Sequence, residues 1–310
     1  MCSVSSEKLP VIDFSGLDCT RSGTTSWCSV RTKVRQALGA YGCFEAIFDE
    51  IKFHGEMLSA LEELFGLPSE TKAKYTAKNH FEGFGSNPHM LYESMGIDDV
   101  LVRERLQRVT DILWPEGNSG FCQTTFSFIS KLSKMEEMVK RMVFESFGVK
   151  YHFEPLGEST SYLLRLMKYR PPTINESNIG IVTHTDTSFF TILGQNHING
   201  LEIQGNNGEW ITVIPSASSF IVMIGDACMA WSNGRLHCPP HRVTISTGDD
   251  VRYSVGLFSF NKGVIQTPEE MVDDEHPLLF KPFDHMGFRL FFCTKEGQMA
   301  KSAIKSYCGI

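Results

Sequence analysis

The sequence predicts a mostly β core, an antiparallel barrel or jelly roll, wrapped by α-helices. In about residues 26–153, apolar residues recur at three- and four-residue spacing, which is the pattern of amphipathic helices. From about residue 161 onward, short runs rich in β-branched and aromatic residues alternate with turn residues, which is the pattern of strands. Asn206-Asn207-Gly208 separates two of these runs and suits a hairpin turn, because Asn and Gly tolerate positive φ angles.

The first part of the chain, about residues 1–155, is predicted to be mainly helical. It begins with the apolar segment of residues 9–14, which suits a short edge strand because Pro10 stands near its start, where no N–H donor is needed. The later segments predict a helical layer. Helices are predicted at residues 30–38, 53–65 and 126–147.

Residues 156–275 are predicted to form the β core, and residues 276–310 a closing part built on one helix at about residues 285–307. Seven or more short strands at regular spacing favour an antiparallel barrel or jelly roll. No Gly/Ser-rich or Pro-rich linker divides the chain, so its 310 residues are predicted to form a single domain. The predicted strands are residues 162–169, 189–193, 201–204, 210–214, 220–224, 241–245 and 252–260.

Composition and charge exclude several classes of protein. The 29 Lys and Arg are outnumbered by 36 Asp and Glu, and no basic stripe is present, so we expect no nucleic-acid partner. No apolar run approaches the roughly 18 residues of a membrane span, and the N-terminus lacks a signal-peptide pattern. The nine cysteines are scattered without a CxxC pair, which favours buried thiols over disulfides. We therefore expect a cytoplasmic protein with no membrane contact and no obligate protein partner.

Two histidines and an aspartate form the candidate metal site. His184 and Asp186 lie two residues apart, so on an extended chain both side chains point to the same face. This pair is a weak signal alone, but His241 begins another predicted strand and supplies a third ligand. Two imidazoles and one carboxylate form the facial triad that suits non-haem Fe(II) and leaves coordination positions open. Open positions indicate catalysis rather than a structural metal.

Arg252 and Ser254 form a second pair with the same two-residue spacing, on the last predicted strand. The planar guanidinium of an arginine matches a carboxylate, and a serine hydroxyl adds a further donor. Together they suit the distal carboxylate of a dicarboxylic acid whose other end chelates the iron.

With these motifs, nearly the whole chain resembles the plant branch of the 2-oxoglutarate/Fe(II)-dependent dioxygenases. The likeness extends to residues 9–14 and 41–44, to Asn233-Gly234-Arg235 and to His276-Pro277. Within that branch, residues 42–46, 91–99, 113–115 and 166–169 are most similar to the AOP group. That group includes enzymes of glucosinolate side-chain modification, with related enzymes that act on auxin and on steroidal alkaloids.

The resemblance implies a double-stranded β-helix core, iron held by the triad, and 2-oxoglutarate held by Arg252, Ser254 and Tyr169. Met167 replaces an asparagine of the family pattern. The cofactors implied are Fe(II), 2-oxoglutarate and O2, with ascorbate helpful. The substrate-binding candidates are aromatic: Phe258 and Phe260 on the inward face of the last strand, Phe84 in a loop near residues 79–90, and Phe288 and Phe292 in the C-terminal helix.

The resemblance also implies oxidation of a small plant specialised metabolite or hormone. Hydroxylation ranks first, while desaturation, ring closure or dealkylation requires only a different substrate pose. Halogenation is disfavoured because Asp186 fills the position that chloride takes in the related halogenases. Three alternatives stay open at this point: an iron oxidase that does not use 2-oxoglutarate, a catalytically silent small-molecule binding protein on the same scaffold, and a zinc hydrolase.

Overall fold

The computed structural model describes residues 8–18, 22–76, 81–86, 91–214, 216, 218–248 and 250–310. Its strands fall into two large groups and one short pair. In chain order they are β1 (Val11–Asp13), β2 (Cys43–Ile47), β3 (Gly83–Ser86), β4 (Tyr92–Asp98), β5 (Thr160–Tyr169), β6 (Ile179–His184), β7 (Phe190–Gln195), β8 (Leu201–Gln204), β9 (Trp210–Thr212), β10 (Ser219–Ile224), β11 (His241–Thr244), β12 (Arg252–Asn261), β13 (Val264–Ile265) and β14 (Phe283–Asp284).

The longer helices lie in the first part of the chain. In chain order the helices are α1 (Thr25–Ala40), α2 (Glu56–Gly66), α3 (Ser69–Lys72), α4 (Arg103–Leu113), α5 (Ser119–Ser146), α6 (Phe153–Glu158), α7 (Asp226–Trp231), α8 (His285–Phe292), α9 (Lys295–Met299) and α10 (Ala303–Cys308). Polar side chains define where the two longest begin. Thr24 accepts the backbone N–H of Trp27 at α1, and Asn118 accepts that of Phe121 at α5.

Two sheets make up the β core. The larger contains eight strands in the order β1-β2-β10-β7-β12-β5-β4-β3, and the smaller contains four in the order β6-β11-β8-β9. Adjacent strands run antiparallel in both sheets, except that β1 is parallel to β2. Because β12 lies between β5 and β7, it brings together side chains that are distant in sequence.

The two sheets pack face to face, and the space between them is the inside of the barrel. Met167 and Tyr169 of β5 pack with Val243 of β11 in one cluster, and Ile221 of β10 packs with Leu201 of β8 in another. The opposite face of the larger sheet is buried against the helices in a continuous hydrophobic core. Since side chains alternate between the faces of a strand, every second residue of β5 and β12 faces inward.

The predicted class, a β core wrapped by helices, is confirmed, and so is the edge position of the first strand. The three predicted helices are present as α1, α2 and α5, with shifted ends. The first part of the chain holds α1 to α5 and also β2, β3 and β4, three strands that the sequence did not predict and that extend the larger sheet. Their extended form is stabilised by pairing with β10 and β5, partners far away in sequence.

The prediction of one closing helix at about residues 285–307 is wrong, because α8, α9 and α10 replace it. The hydroxyl of Thr294 accepts the backbone N–H of Gly297, which starts a new helix instead of continuing the old one. Ala300 then adopts an extended conformation with ψ of 137° and ends α9. Local capping therefore overrides the apolar periodicity of this segment.

Among the residues that the structure describes, none of the helices combines the length and the apolar character of a membrane span. The cysteines within the described ranges are all free thiols, in agreement with the expectation from their spacing. Cys2 and Cys19 lie outside the described residues.

Candidate active site

The three candidate metal ligands converge at one end of the smaller sheet. His184 ends β6 and His241 begins β11, and the two residues are directly paired across these antiparallel strands. Asp186 follows two residues after His184, and its Oδ1 lies 3.7 Å from Nε2 of each histidine. The three ligand atoms all lie within 4.8 Å of one another. Such spacing fits one shared cation.

Backbone carbonyls orient both imidazole rings. Nδ1 of His184 lies 2.9 Å from the carbonyl oxygen of Val182, and Nδ1 of His241 lies 3.3 Å from that of Pro239. Because a carbonyl only accepts, each Nδ1 carries the proton and each Nε2 presents its lone pair to the centre. Burial, with the neighbouring His241, lowers the pKa of His184 to about 4. The ring of His184 is therefore neutral near pH 7, as a ligand requires.

Hydrogen bonds also fix the carboxylate. Thr191 of β7 donates its hydroxyl to Oδ2 of Asp186 at 2.7 Å, which leaves Oδ1 facing the histidines. The backbone carbonyl of Asp186 accepts the N–H of Asp226 at 2.7 Å, and the hydroxyl of Thr185 donates to the Asp226 carboxylate. The ligand segment is thus attached to both β7 and α7 before any metal binds.

Replacing Thr191 with valine is expected to lower the affinity for Fe(II) by about tenfold, because removing a hydrogen bond to a metal ligand usually costs 10- to 100-fold. Valine keeps the shape of the side chain but leaves Oδ2 of Asp186 without its donor. Anaerobic Fe(II) titration measures the effect. The matched control is Thr110→Val, which removes a buried hydroxyl bonded to a helix carbonyl in α4. Equal iron affinities in the two variants would contradict the positioning role.

A buried guanidinium lies on the inner face of the larger sheet. Arg252 is 2% exposed, and it donates to Gln195 Oε1 at 2.5 Å and to Ser254 Oγ at 3.4 Å. Its guanidinium carbon lies 4.7 Å from the centre of the Tyr169 ring. Among the described residues, no carboxylate lies within ion-pair distance of Arg252, and both its Nε and Nε2 of Gln195 are buried without a hydrogen-bond partner. Orphaned donors around a buried cation fit a carboxylate ligand.

Tyr169 is held beside this guanidinium by strand register, because Arg252 and Tyr169 are directly paired across β12 and β5. The Tyr169 hydroxyl lies 3.3 Å from the sulfur of Met167, so that sulfur accepts a hydrogen bond at the position where the family pattern has asparagine. Gly200 gives the arginine side chain room, since a Cβ there would lie 3.0 Å from Cδ of Arg252. The residues present therefore fit both groups that the sequence implies, a ferrous ion and a dicarboxylic acid.

The aromatic substrate candidates are placed differently from one another. Phe258 is half-buried on the inward face of β12, and its ring lies over Gly256, where a Cβ would be only 2.5 Å away. Phe260, on the same face, is buried beside the ring of His285 at 5.2 Å. Phe84 is half-buried on β3. Phe258 is thus the candidate with most surface free on the inner side of β12.

Phe288 lies deeper than the other candidates. It has no exposed surface and packs against Phe283 and Tyr307 in the hydrophobic core. Phe292 is half-buried at the edge of the same core. The predicted mouth loop near residues 79–90 falls partly outside the described residues.

Two residues of the site and one inward-facing arginine were missed from sequence. Thr191 and Gln195 lie on β7, opposite Phe258 and Ser254 of β12, and only strand register brings them there. Arg165 on β5 is different, because it stands two and four residues before Met167 and Tyr169. The two-residue periodicity of an inward strand face was a signal that could have found it.

Comparisons with known proteins agree with this geometry. Residues 160–261 match the family model of the 2OG-Fe(II) oxygenase superfamily. Residues 9–104 match the family model described as "non-haem dioxygenase in morphine synthesis N-terminal". The chain is 43% identical to the probable 2-oxoglutarate-dependent dioxygenase AOP1.2 of Arabidopsis thaliana, over 97% of this chain and 95% of that protein. It is 30% identical to the Arabidopsis thaliana 2-oxoglutarate-dependent dioxygenase AOP3, over 98% of both chains.

Solved structures are similar over nearly the whole chain. The dioxygenase for auxin oxidation from rice superposes with a TM-score of 0.83 at 26% identity, covering 97% of this chain and all of that one. JOX2 in complex with 2OG, Fe and JA gives a TM-score of 0.80 at 25% identity, covering 97% of this chain and 89% of that one.

Proposed function

Because the chain belongs to the 2-oxoglutarate- and Fe(II)-dependent oxygenase family, we propose that it oxidises a small organic molecule by hydroxylation at the centre described above. The enzyme is a 2-oxoglutarate-dependent dioxygenase, and its cofactors are Fe(II) and 2-oxoglutarate. One observation carries the proposal: His184, Asp186 and His241 meet within 4.8 Å in a barrel that also buries the unpaired guanidinium of Arg252. A zinc hydrolase would leave that guanidinium without a task.

His184, Asp186 and His241 are proposed to hold the iron on one face. The two imidazoles would offer Nε2 and the carboxylate would offer Oδ1, a ligand set that leaves coordination positions for the cosubstrate and O2. When bound, the iron would supply the oxidising chemistry, in which 2-oxoglutarate and O2 are consumed and succinate and CO2 are released. The protein contributes orientation, since each ligand is already fixed by a hydrogen bond to the chain.

Arg252, Ser254 and Tyr169 are proposed to bind the distal carboxylate of 2-oxoglutarate. Arg252 has a free Nε, and Gln195 adds a free amide N–H group beside it, so several donors point at one anion. Burial of the guanidinium excludes water from this contact, which strengthens a charge-assisted hydrogen bond. Gln195 is an addition to the cosubstrate residues that the sequence predicted.

The substrate is proposed to be a small plant hormone or specialised metabolite that lies against Phe258, with Phe260, Phe84 and Phe292 as weaker candidates. The similar solved structures support this size class, since one is named for auxin oxidation and another is a complex with JA. Hydroxylation is the simplest outcome. Desaturation, ring closure or dealkylation would follow from another pose of the same substrate.

We expect the purified, iron-loaded protein to convert 2-oxoglutarate into succinate when its substrate is present. Anaerobic loading with Fe(II) and 2-oxoglutarate, followed by O2 and a panel of plant hormones and specialised metabolites, tests this directly. Succinate and oxidised product should form in a one-to-one ratio. Product formation without consumption of 2-oxoglutarate would indicate an iron oxidase that does not use this cosubstrate. Failure to bind 2-oxoglutarate in the presence of iron would contradict the proposal.

A further inference from the structure

A second arginine faces the inside of the barrel. Arg165 lies in the middle of β5 and shares its inward face with Met167 and Tyr169, which contact the smaller sheet and Arg252. The residue is half-buried, and the Nε atom of its guanidinium is fully buried. The mechanism described above gives this residue no task.

The strands on both sides place no side chain directly opposite Arg165. Its direct partners are Gly256 on β12 and Gly96 on β4, and neither has a side chain. The aromatic ring of Phe258 lies over Gly256 on the same face, and the backbone of Phe81 lies over Gly96. A guanidinium and an aromatic ring therefore lie side by side on this face, which suits a ligand with a charged end and an apolar body.

The charge of Arg165 is not compensated within the described part of the chain. Its guanidinium donates a hydrogen bond to Ser94 Oγ at 3.3 Å, its Nε is buried without a partner, and it forms no ion pair with the described residues. Arg289, the nearby second cation, differs because it bonds to Asp98 at 3.0 Å. A half-buried cation without a counter-charge is unfavourable, and a bound anion would relieve this cost.

Arg165 and the cosubstrate arginine stand at different levels of the sheet. Tyr169 pairs with Arg252 and Arg165 pairs with Gly256, so the backbones of the two arginines are offset by four residues, about 13 Å along the sheet at 3.3 Å per residue. Gly256 in turn pairs with Leu193 of β7, which stands two residues from Thr191, the donor to Asp186. By strand register, Arg165 is therefore nearer than Arg252 to the residue that holds the carboxylate ligand.

We infer that the substrate is a carboxylic acid, that Arg165 binds its carboxylate, and that Phe258 contacts its apolar body. The inference rests on the proposed function and specifies the substrate class of the same site. One uncompensated guanidinium with a neighbouring serine hydroxyl suits the single charge of a carboxylate. The two carboxylate oxygens can accept hydrogen bonds in the plane of the guanidinium. An ester, amide or alcohol of the same shape would leave that charge without a partner.

The test compares acids with their amides. Anaerobic calorimetry on protein loaded with Fe(II) and 2-oxoglutarate uses three matched pairs as probes: phenylacetate and phenylacetamide, indole-3-acetate and indole-3-acetamide, and hexanoate and hexanamide. We expect at least one acid to bind at least about tenfold more tightly than its amide. This is the size of effect expected for a hydrogen bond to a charged group. Arg165→Gln should abolish this preference, and Arg165→Lys should keep part of it.

Controls separate the outcomes. Arg170→Gln removes an arginine just beyond β5 that pairs with Glu176, and it should keep the preference of the parent protein. The affinity for 2-oxoglutarate should change less than twofold in both Arg165 variants. No acid preference in the parent protein, or an unchanged preference in Arg165→Gln, overturns the carboxylate subsite. If the parent protein binds neither Fe(II) nor 2-oxoglutarate, the proposed function itself is refuted.

Discussion

Replacing Asp186 with alanine is expected to reduce substrate-dependent succinate formation by about 10³-fold or more, equivalent to about 4 kcal/mol in the activation barrier. The variant keeps two imidazoles but loses the only charged ligand of the proposed site. Two neutral nitrogen ligands hold a ferrous ion weakly, and the freed position admits water. Iron content per chain and succinate yield should therefore fall together. His184→Ala is expected to behave in the same way.

A control variant separates this effect from the effect of removing a titratable side chain elsewhere in the protein. His152→Ala removes a partly exposed histidine whose nearest acidic partner, Glu270, lies 3.6 Å away, and it should retain iron and turnover. Thermal melting of the iron-free proteins shows whether Asp186→Ala still folds. Near-normal turnover by a folded Asp186→Ala variant would refute the metal assignment.

The sequence was informative about this centre where the chemistry is local. His184 and Asp186 are two residues apart, as are Arg252 and Ser254, so strand periodicity alone puts each pair on one face. The direct pairing of His241 with His184 is a matter of register between β11 and β6, which no local pattern specifies. For that step the family resemblance was needed.

The fold shows the same division between local and distant information. Amphipathic periodicity located α1, α2 and α5, because burial of one helix face is readable along the chain. The strands β2 and β4 were missed because their extended form depends on pairing with β10 and β5. Thr191 and Gln195 were missed for this reason too, since they become part of the site only when β7 lies beside β12.

Replacing Arg252 with alanine is expected to raise the KM for 2-oxoglutarate by about 100-fold or more, because losing one partner of a buried charge pair costs about 2–5 kcal/mol. The KM for the substrate should change far less, since Arg165 and Phe258 lie elsewhere on the sheet. Arg252→Lys should be intermediate, because an ammonium group keeps the charge but not the planar fork. Steady-state succinate assays with varied 2-oxoglutarate measure these differences.

Stability gives an independent measurement of the same contact. Without ligand, Arg252 is a buried cation with no carboxylate partner among the described residues, so its removal eliminates the free-energy cost of burying that charge. Its removal also leaves a cavity and eliminates the contacts to Gln195 and Tyr169. These effects oppose each other, and we expect a small change in the melting temperature of the ligand-free protein. In the parent protein, 2-oxoglutarate at 100 times its Kd should raise the free energy of unfolding by about 2.7 kcal/mol.

That ligand-induced gain should vanish in Arg252→Ala at the same 2-oxoglutarate concentration. Arg242→Ala serves as the control, because Arg242 lies on the smaller sheet, is bound to Glu202 at 2.7 Å and is partly exposed. It should keep the full shift in melting temperature. A variant at Arg252 that is still stabilised by 2-oxoglutarate would mean that another cation holds the distal carboxylate. In that case the buried guanidinium would be a structural element of the barrel and not its cosubstrate anchor.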